Sequence, residues 1–326
     1  MVYGASLAEK LNKLRSIREV VHLIDELESE AFYTSKIFDP AEHPVSQKPI
    51  DLDELPLLDE ARINIKNLEK IAKKSNNHRE IGKFFAKINN LSPSTAEKLV
   101  QIVCSKMDAS HSLREVSQCL HSIVGRNHSE NTINSPLNIQ DYRTIRLASL
   151  IAQELDARKL EKKIAQSNRV RDIWECLHIL EISGQTVAKQ VVDNLEIAPI
   201  AEKAGKTFNP HNIGNLLKTL QKISPQKCDL ILQALIEKLR NTTNLNYTGN
   251  CYGGIANFST EVALKLLPLI AQKMNRSDSL KEAGECFRKI SWCNRKIIPE
   301  LFMALDSEKQ DYLQKRYSRY LKIPGG

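Results

Sequence analysis

The chain is poor in the residues that form turns, with 12 glycines and 12 prolines among 326 residues. So few of them argue against a β-rich or a disordered chain. Long apolar runs are also missing, since no stretch approaches the roughly 18 residues that indicate a membrane-spanning helix. Hydrophobic residues make up 41% of the chain and charged residues 26%, which is ordinary for a soluble protein. We therefore expect no membrane segment.

Cysteine is present, but not in the arrangement of a disulfide framework. The chain has 7 cysteines, an odd number, and no Cys-x-x-Cys pair. This pattern favours reduced thiols in the cytosol, so we expect a cytoplasmic protein. A zinc site needs clustered ligands that this spacing does not offer. We therefore expect neither a metal ion nor a cofactor.

The net charge of +8 is unevenly distributed along the chain. Residues 1–61 carry 6 Lys and Arg against 13 Asp and Glu, whereas residues 62–326 carry 41 against 26. The acidic start contains a proline-bearing stretch, Phe38 to Pro56, that we interpret as a loop or linker. Such asymmetry indicates either a contact between the two halves or an acidic partner for the second half.

A repeat of about 35 residues is visible in the second half of the chain. The segments that begin at Arg114 and Arg171 align with each other, and we call the third position of each segment the anchor. The six equivalent anchors are Ile81, Val116, Ile173, Ile213, Thr248 and Ala283, at intervals of 35, 57, 40, 35 and 35 residues. The longest interval indicates an insertion in the second repeat.

Apolar residues recur at fixed offsets from the anchor. Four positions after it stand Phe85, Leu120, Leu177, Leu217, Tyr252 and Phe287, and seven after it stand Ile88, Ile123, Leu180, Leu220, Ile255 and Ile290. This spacing fits one face of a helix. A second apolar face follows at offsets of 15, 18 and 22 residues, as in Ala96, Leu99 and Val103. Each repeat is therefore predicted to be a helix, a short turn and a second helix.

Helix-capping residues separate these faces. Eleven positions after the anchor stand Ser92, Asn127, Gly184, Ser224, Ser259 and Asn294, all of which are suited to begin a helix. Capping residues also stand four positions before the anchor, at Asn77, Ser112, Asn209, Asn244 and Ser279, with Arg169 the exception. Ser112 and Ser279 are each followed by a glutamate in a Ser-x-x-Glu pattern. In such a capping box each side chain satisfies the backbone amide of the other residue. We therefore interpret the recurring glutamates as part of helix starts and not as catalytic acids.

A single repeat cannot bury its apolar faces alone, so the repeats are expected to stack. The predicted fold is all-α, an α-solenoid of about six two-helix repeats with capping helices at both ends. It divides into an acidic N-terminal helical segment and linker (1–61), a helical-repeat array (62–306) and a C-terminal capping helix and tail (307–326). A long amphipathic segment spans Ser6 to Phe32, and inside it Ser16 to Val20 resembles the start of a repeat. Further helices are predicted from Leu57 to Lys74 and from Ser307 to Leu321, and the insertion is a loop, Asn127 to Asn138, before a long helix, Ile139 to Leu155.

The two-helix layout resembles tetratricopeptide-like and pentatricopeptide-like arrays, although no Trp-x-x-Leu-Gly-x-x-Tyr run occurs. The Ile-Gly pairs at Ile81 and Ile213, followed by Ser-Pro and an apolar helix, are most similar to repeats in sensor regions of STAND-type NTPases and microbial defence proteins. This resemblance covers residues 77–306. It implies recognition of a ligand or partner, and a role in antiviral defence, without an NTPase part in this chain.

Gly205-Lys206-Thr207 matches the end of a phosphate-binding loop. The first glycine of that motif is replaced by Ile200, and no apolar strand precedes it. We interpret these residues as a helix terminus or a turn.

Two Cys-x-His pairs, at Cys119 and Cys176, are candidates for thiol chemistry or metal binding. Residues two apart on a helix point in different directions, so neither pair forms a dyad by itself. Four cysteines also share one repeat position, three after the anchor, where Phe84 and Leu216 stand in other repeats. Such thiols behave as small buried hydrophobes. We assign no catalytic residue and expect no enzyme.

Three glycines, Gly249, Gly253 and Gly254, fall within a predicted first helix. Glycine weakens a helix by about 1 kcal/mol relative to alanine. Either this helix is short or irregular, or a backbone or a ligand approaches it closely.

Two basic regions are candidates for contact with an acidic partner or nucleic acid. Cations mixed with aromatic rings suit nucleic acid through phosphate neutralisation and base stacking, although charged helices are usually only solvated. The first region contains Arg143, Arg146, Arg158, Lys159, Lys162, Lys163, Arg169 and Arg171, and the second contains Lys315, Arg316, Tyr317, Arg319 and Tyr320.

Two functions remain open from the sequence. The repeat array without a catalytic constellation favours a protein-recognition scaffold or adaptor that holds a protein or peptide partner, and a scaffold of this kind is compatible with a place in a larger complex. The basic array favours the alternative, a nucleic-acid-binding module.

Overall fold

A computed structural model describes residues 2–36, 63–124 and 139–321 of the chain. All the regular secondary structure in these residues is helical, as the sequence predicts. The chain divides into two compact units, Met1–Asp156 with Ile182–Gly184, and Ala157–Glu181 with Gln185–Gly326. In the described ranges no helix combines the length and apolarity needed to cross a membrane.

Seven helices are found in the described residues of the first unit. They are α1 (Val2–Lys13), α2 (Ile17–Lys36), α3 (Ile65–Lys74), α4 (His78–Leu91), α5 (Pro93–Ala109), α6 (Leu113–Val124) and α7 (Ile139–Glu154). The predicted long helix after the insertion is confirmed as α7. The predicted linker and the inserted loop lie outside the described residues, as do residues 57–62 of the predicted helix that ends at Lys74.

The helices of the second unit are shorter on average. They are α8 (Ala157–Gln166), α9 (Val170–Ser183), α10 (Gln185–Asn194), α11 (Ile197–Gly205), α12 (His211–Ile223), α13 (Pro225–Asn241), α14 (Leu245–Phe258), α15 (Thr260–Asn275), α16 (Leu280–Cys293), α17 (Ile298–Met303) and α18 (Ser307–Leu321). The predicted C-terminal helix is confirmed as α18, which packs on α16. The last two residues of α9 belong to the first unit.

The amphipathic N-terminal segment from Ser6 to Phe32 falls on two helices, because the chain breaks between α1 and α2. Ser16 starts the second helix, since its hydroxyl accepts a hydrogen bond from the amide of Glu19, while the Glu19 carboxylate accepts one from the amide of Arg15. These local bonds replace the helical bonds that a continuous helix would need.

The predicted apolar stripes are buried. All six anchors are at most 1% exposed, and the residues four and seven positions later are at most 2% exposed. Tyr252 stands where other repeats have phenylalanine or leucine, and its buried hydroxyl donates to the carbonyl oxygen of Ala263 at 2.9 Å. A buried phenol needs such a partner, so the tyrosine fits the core without an unsatisfied group.

Most of the predicted N-caps form. The side chains of Asn77, Ser92, Ser112, Asn244, Ser259, Ser279 and Asn294 accept a backbone N–H near the start of the next helix. Ser224 makes no such bond, and its hydroxyl donates to Asp193. The capping box at Ser112 is only half formed, because the Glu115 carboxylate accepts the amide of His111.

The first helices of successive repeats approach closely at glycine. In the first unit, a Cβ at Gly82 would lie 2.3 Å from the carbonyl oxygen of Cys119 on α6. In the second unit, a Cβ at Gly249 would lie 3.0 Å from the Cα of Cys286 on α16. Both glycines stand one position after an anchor, and both contacted residues stand three positions after one. The same repeat position therefore makes the same interhelix contact in both units.

The glycine-rich helix α14 is neither short nor irregular, since it runs over 14 residues. Its glycines are explained by the close approach of its neighbours. A Cβ at Gly254 would lie 3.0 Å from the carbonyl oxygen of Pro210, and a Cβ at Gly253 would lie 3.2 Å from the carbonyl oxygen of Lys289. The second alternative from the sequence, close approach of a backbone, is therefore correct.

Lysines near the ends of second helices tie neighbouring helices together. The ammonium group of Lys106 donates to the carbonyl of Ser75, that of Lys203 to the carbonyls of Ile164 and Ala165, and that of Lys273 to the carbonyls of Arg240 and Thr242. Cations suit helix C-termini, where carbonyls lack helical partners. Part of the positive charge of the array is therefore structural.

Candidate interaction surface

The two tryptophans of the chain, Trp174 and Trp292, lie on one connected surface of the second unit. The indole N–H of Trp174 donates to the side-chain oxygen of Asn212 at 3.2 Å. The ring of the next residue, His211, packs edge-on against Trp292 with 5.7 Å between ring centroids. We call the surface formed by Trp174, His178, His211 and Trp292 the tryptophan face.

Trp174 occupies the repeat position that is glycine in four of the six repeats. At Gly82 and Gly249 this position brings two helices into direct contact. At α9 the half-buried indole instead reaches α12 through a side-chain hydrogen bond, and its ring lies 6.1 Å from that of His178. The larger residue thus replaces a packing contact with a polar and aromatic surface.

The contact between His211 and Trp292 crosses helix α14. His211 begins α12 and Trp292 is near the end of α16, and both helices pack against α14. Gly253 and Gly254 of α14 are buried, and a Cβ at Gly253 would lie 3.3 Å from the Cβ of Pro210, beside His211, and 3.4 Å from the Sγ of Cys293, beside Trp292. The close packing at these glycines brings the ring-bearing ends of α12 and α16 together.

Exposure distinguishes this face from an ordinary polar surface. Trp292 is 57% exposed, and Phe208, in the connection that leads to His211, is 87% exposed. Large exposed aromatic side chains are unfavourable in water and are enriched at the centres of protein interfaces. The face therefore has the chemistry of a binding surface.

The carboxylates of Glu175 and Glu181, near the tryptophan face, form ion pairs with neighbouring cations. Arg171 lies 2.7 Å from Glu175, while His178 and Lys222 lie 3.5 Å and 3.6 Å from Glu181. These two neighbours, His178 before Lys222, lower the pKa of Glu181, which keeps it ionised near neutral pH.

The carboxylate of Glu285 is engaged in the same way on α16. It accepts hydrogen bonds from Arg288 at 2.9 Å and from the hydroxyl of Tyr317 at 3.0 Å. Burial opposes ionisation of Glu285, but these hydrogen bonds outweigh it and lower the pKa. Lys218 and Lys281, on α12 and α16, form no ion pair with a carboxylate among the described residues.

The first predicted basic region is divided between the two units. Arg143 lies on α7, but its side chain is outside the described residues, and Arg146 pairs with Glu97 at 2.6 Å in the first unit. The remaining members belong to the second unit. They are Arg158, Lys159, Lys162 and Lys163 on α8, Arg169 before α9, and Arg171 on α9. Only Arg171 adjoins the tryptophan face.

The second predicted basic region is partly used to pack α18. The ring of Tyr317 covers Gly284, and α18 is kinked at this residue. Arg319 lies 4.7 Å above the ring of Tyr320 and also donates to its hydroxyl. Lys315 and Arg316 are exposed.

Other motifs are structural. Cys119 and Cys176 are fully buried, and burial raises the pKa of Cys176 to about 12, so these thiols are not nucleophiles at neutral pH. No group of three or more metal-ligating side chains occurs in the described part of the chain. The Gly205-Lys206-Thr207 motif ends α11, as predicted for a helix terminus, and Lys206 donates to Glu202.

Sequence reasoning did not identify Trp174, His211 and Trp292 as a site. A usable signal was present, because a tryptophan replaces the small residue one position after the anchor in a single repeat. The contact between His211 and Trp292 joins residues 81 positions apart, and no local pattern encodes it.

The chain matches no protein-family model, no curated protein and no solved structure.

Proposed function

We propose that the chain is a non-catalytic recognition scaffold, an α-solenoid of about six two-helix repeats that binds a protein partner through the tryptophan face. The observation that carries the proposal is the position of both tryptophans, on an exposed surface built from stacked first helices.

The repeat contacts support the solenoid part of the proposal. In each unit the first helices contact one another at equivalent positions, and equivalent anchors are equally buried. A repeat that buries its apolar faces only against its neighbours must form an array. Such an array presents one face of successive helices as a continuous surface.

Binding of peptides selected from a random library tests the recognition part. Peptides selected against the wild-type protein are measured against the Trp292→Ala variant and a matched control, Met303→Ala, which removes a 74% exposed side chain from α17. We expect Trp292→Ala to weaken binding by about tenfold or more, as for an aromatic residue central to an interface. Met303→Ala should bind as the wild type does.

Equal affinity of the selected peptides for the wild type, Trp292→Ala and His211→Ala would show that the tryptophan face is not the binding surface. Circular dichroism of each variant shows whether the fold is retained. The alternative, nucleic-acid binding, rests on the exposed Lys315 and Arg316 of α18. It predicts an affinity for oligonucleotides that falls steeply with salt and does not depend on Trp292.

A further inference from the structure

We infer that a groove on the second unit, between α11, α13 and the start of α14, binds a free apolar amino acid. The volume of the groove is about 530 Å³, which is in the range of small-molecule sites. The groove shares no residue with the tryptophan face, and the inference does not depend on the proposed function.

The floor of the groove is apolar, and it is open because one side chain is smaller than in other repeats. Ala234 on α13 stands 21 positions after its anchor, where α5 has Ile102 and α15 has Leu269. All three residues are half-buried. Ala198 and Ala201 line the groove from α11. The space that a larger aliphatic side chain takes in other repeats is therefore left for an aliphatic group of a ligand.

An aromatic ring at a second exceptional position forms a wall of the groove. Tyr247 directly precedes its anchor, where the other five repeats have an acidic residue or an asparagine. Its ring packs against Gly205 of α11, because a Cβ at that glycine would overlap the ring atoms. The hydroxyl of Tyr247 also lies at Gly205 and is buried, so the ring contributes apolar surface to the groove.

Lys238 supplies a positive charge to the groove. It stands 25 positions after its anchor, as do Lys106 and Lys273, which donate to backbone carbonyls at the ends of neighbouring helices. The half-buried ammonium group of Lys238 makes no hydrogen bond or ion pair within the described ranges. Glu202 lies nearby, but it pairs with Lys206 at 2.6 Å. A partly desolvated ammonium group without a partner is suited to bind a carboxylate.

Glu237, the residue before Lys238, supplies the opposite charge. Its exposed carboxylate lines the groove and forms no ion pair with any residue that the structure describes. The side-chain amide of Asn241 also lines the groove and offers both a donor and an acceptor. A simple carboxylic acid would leave Glu237 without a partner, and a simple amine would leave Lys238 without one. An amino acid carries both charges, and its apolar side chain suits the alanine floor.

Isothermal titration calorimetry with leucine tests the inference. Two analogues keep its hydrocarbon chain and one charge each, isocaproate the carboxylate and isoamylamine the ammonium group. We expect leucine to bind at least about tenfold more tightly than either analogue, because each analogue leaves one charged group of the groove without its partner. Glycine, which lacks the apolar side chain, should also bind at least about tenfold more weakly than leucine.

Variants of the two charged residues identify the site. Lys238→Gln and Glu237→Gln should each weaken leucine binding by about tenfold or more. The matched controls are Lys218→Gln, which changes another half-buried lysine, and Glu300→Gln, which changes another exposed glutamate. Neither control should change binding by more than about twofold, as expected for distant, screened charges. Ala198→Leu adds a side chain at an exposed position of α11, so it should abolish leucine binding while circular dichroism shows a retained fold.

Three results would overturn the inference. They are absence of leucine binding, equal affinity for leucine and for either analogue, and an equal loss of affinity in Lys238→Gln and Lys218→Gln. Failure of the leucine titration would leave the proposed function untouched. Library-selected peptides that depend on Trp292 should bind Lys238→Gln as they bind the wild type, because the groove and the tryptophan face have no residue in common.

Discussion

The residue one position after the anchor has opposite roles in two regions of the molecule. In the first unit Gly82 brings α4 against the backbone of α6, so the position serves packing. In the second unit Trp174 at the same position forms a polar and aromatic surface with α12. A repeat therefore keeps its register through buried anchors, while the neighbouring position is free to change from a close-packed glycine to a large side chain at the surface.

Alkaline pH should have the largest effect on stability, and it allows α9, which carries Trp174, to be compared with α16, which packs against a glycine. Cys176 lies on α9 and Cys286 lies against Gly249, and burial raises the pKa of each thiol from 9.0 to about 12. A raised pKa favours the neutral thiol in the native state, so its stabilisation is present below pH 9 and is lost as the pH rises from 9 to 12. Deprotonation of each thiol in the unfolded chain should therefore destabilise the fold progressively across that range.

Denaturant midpoints at neutral and alkaline pH measure this loss, and the Cys176→Ala/Cys286→Ala variant should show a shallower decline. Thiol alkylation kinetics in the native protein separate the two sites. If Cys176 reacts much faster than Cys286, α9 is less tightly packed than the glycine-bearing helices, and the comparison would need revision.

Gly82→Val tests the glycine side of the comparison. Its Cβ would lie 2.3 Å from a backbone oxygen, which cannot move away as a flexible side chain can. Helices α4 and α6 must separate, and we expect a loss of about 3 kcal/mol in the free energy of unfolding. Urea denaturation measures it. Gly214→Ala is the milder counterpart, because its Cβ would meet a side chain, the amide of Asn257. An equal loss of stability in both variants would show that the contact with a backbone oxygen does not explain the effect of Gly82→Val.

Trp174→Gly tests the tryptophan side by giving α9 the residue that other repeats have. The variant loses one hydrogen bond and the contacts of a half-buried ring, so we expect a loss of about 1–2 kcal/mol in stability. Peptide binding to the tryptophan face should fall more than stability does. A stability loss as large as that of Gly82→Val would mean that Trp174 serves the core.

Ser279→Ala should have the smallest effect. The hydroxyl of Ser279 accepts the amide of Glu282 at 3.2 Å at the start of α16. Loss of such a cap costs about 1 kcal/mol, measured by thermal or urea unfolding, while Ser279→Asp should retain most of the stability. Peptide binding should be unchanged in both variants, because the cap lies outside the tryptophan face.

Local patterns predicted the helices well. The offsets of the apolar residues identified the buried faces, and the caps at Asn77, Ser92 and Ser259 identified helix starts. The break between α1 and α2 falls at Ser16, where the sequence resembles the start of a repeat, and the side chains of Ser16 and Glu19 end the helical bonding there. The basic regions were predicted from cations that are close in the sequence. Closeness in the sequence does not show which of these cations bind the carbonyls at helix ends or stack on aromatic rings.

The sequence by itself determined the all-helical structure, the buried face of each helix and the burial of the cysteines at one repeat position, because helical periodicity and capping act within a few residues. Only the tertiary structure decided which helices approach at glycine, how Tyr317 and the capping lysines are used, and that His211 meets Trp292. These depend on the spacing of helices that are far apart in the chain, and two absent side chains at Gly253 and Gly254 made the last contact feasible.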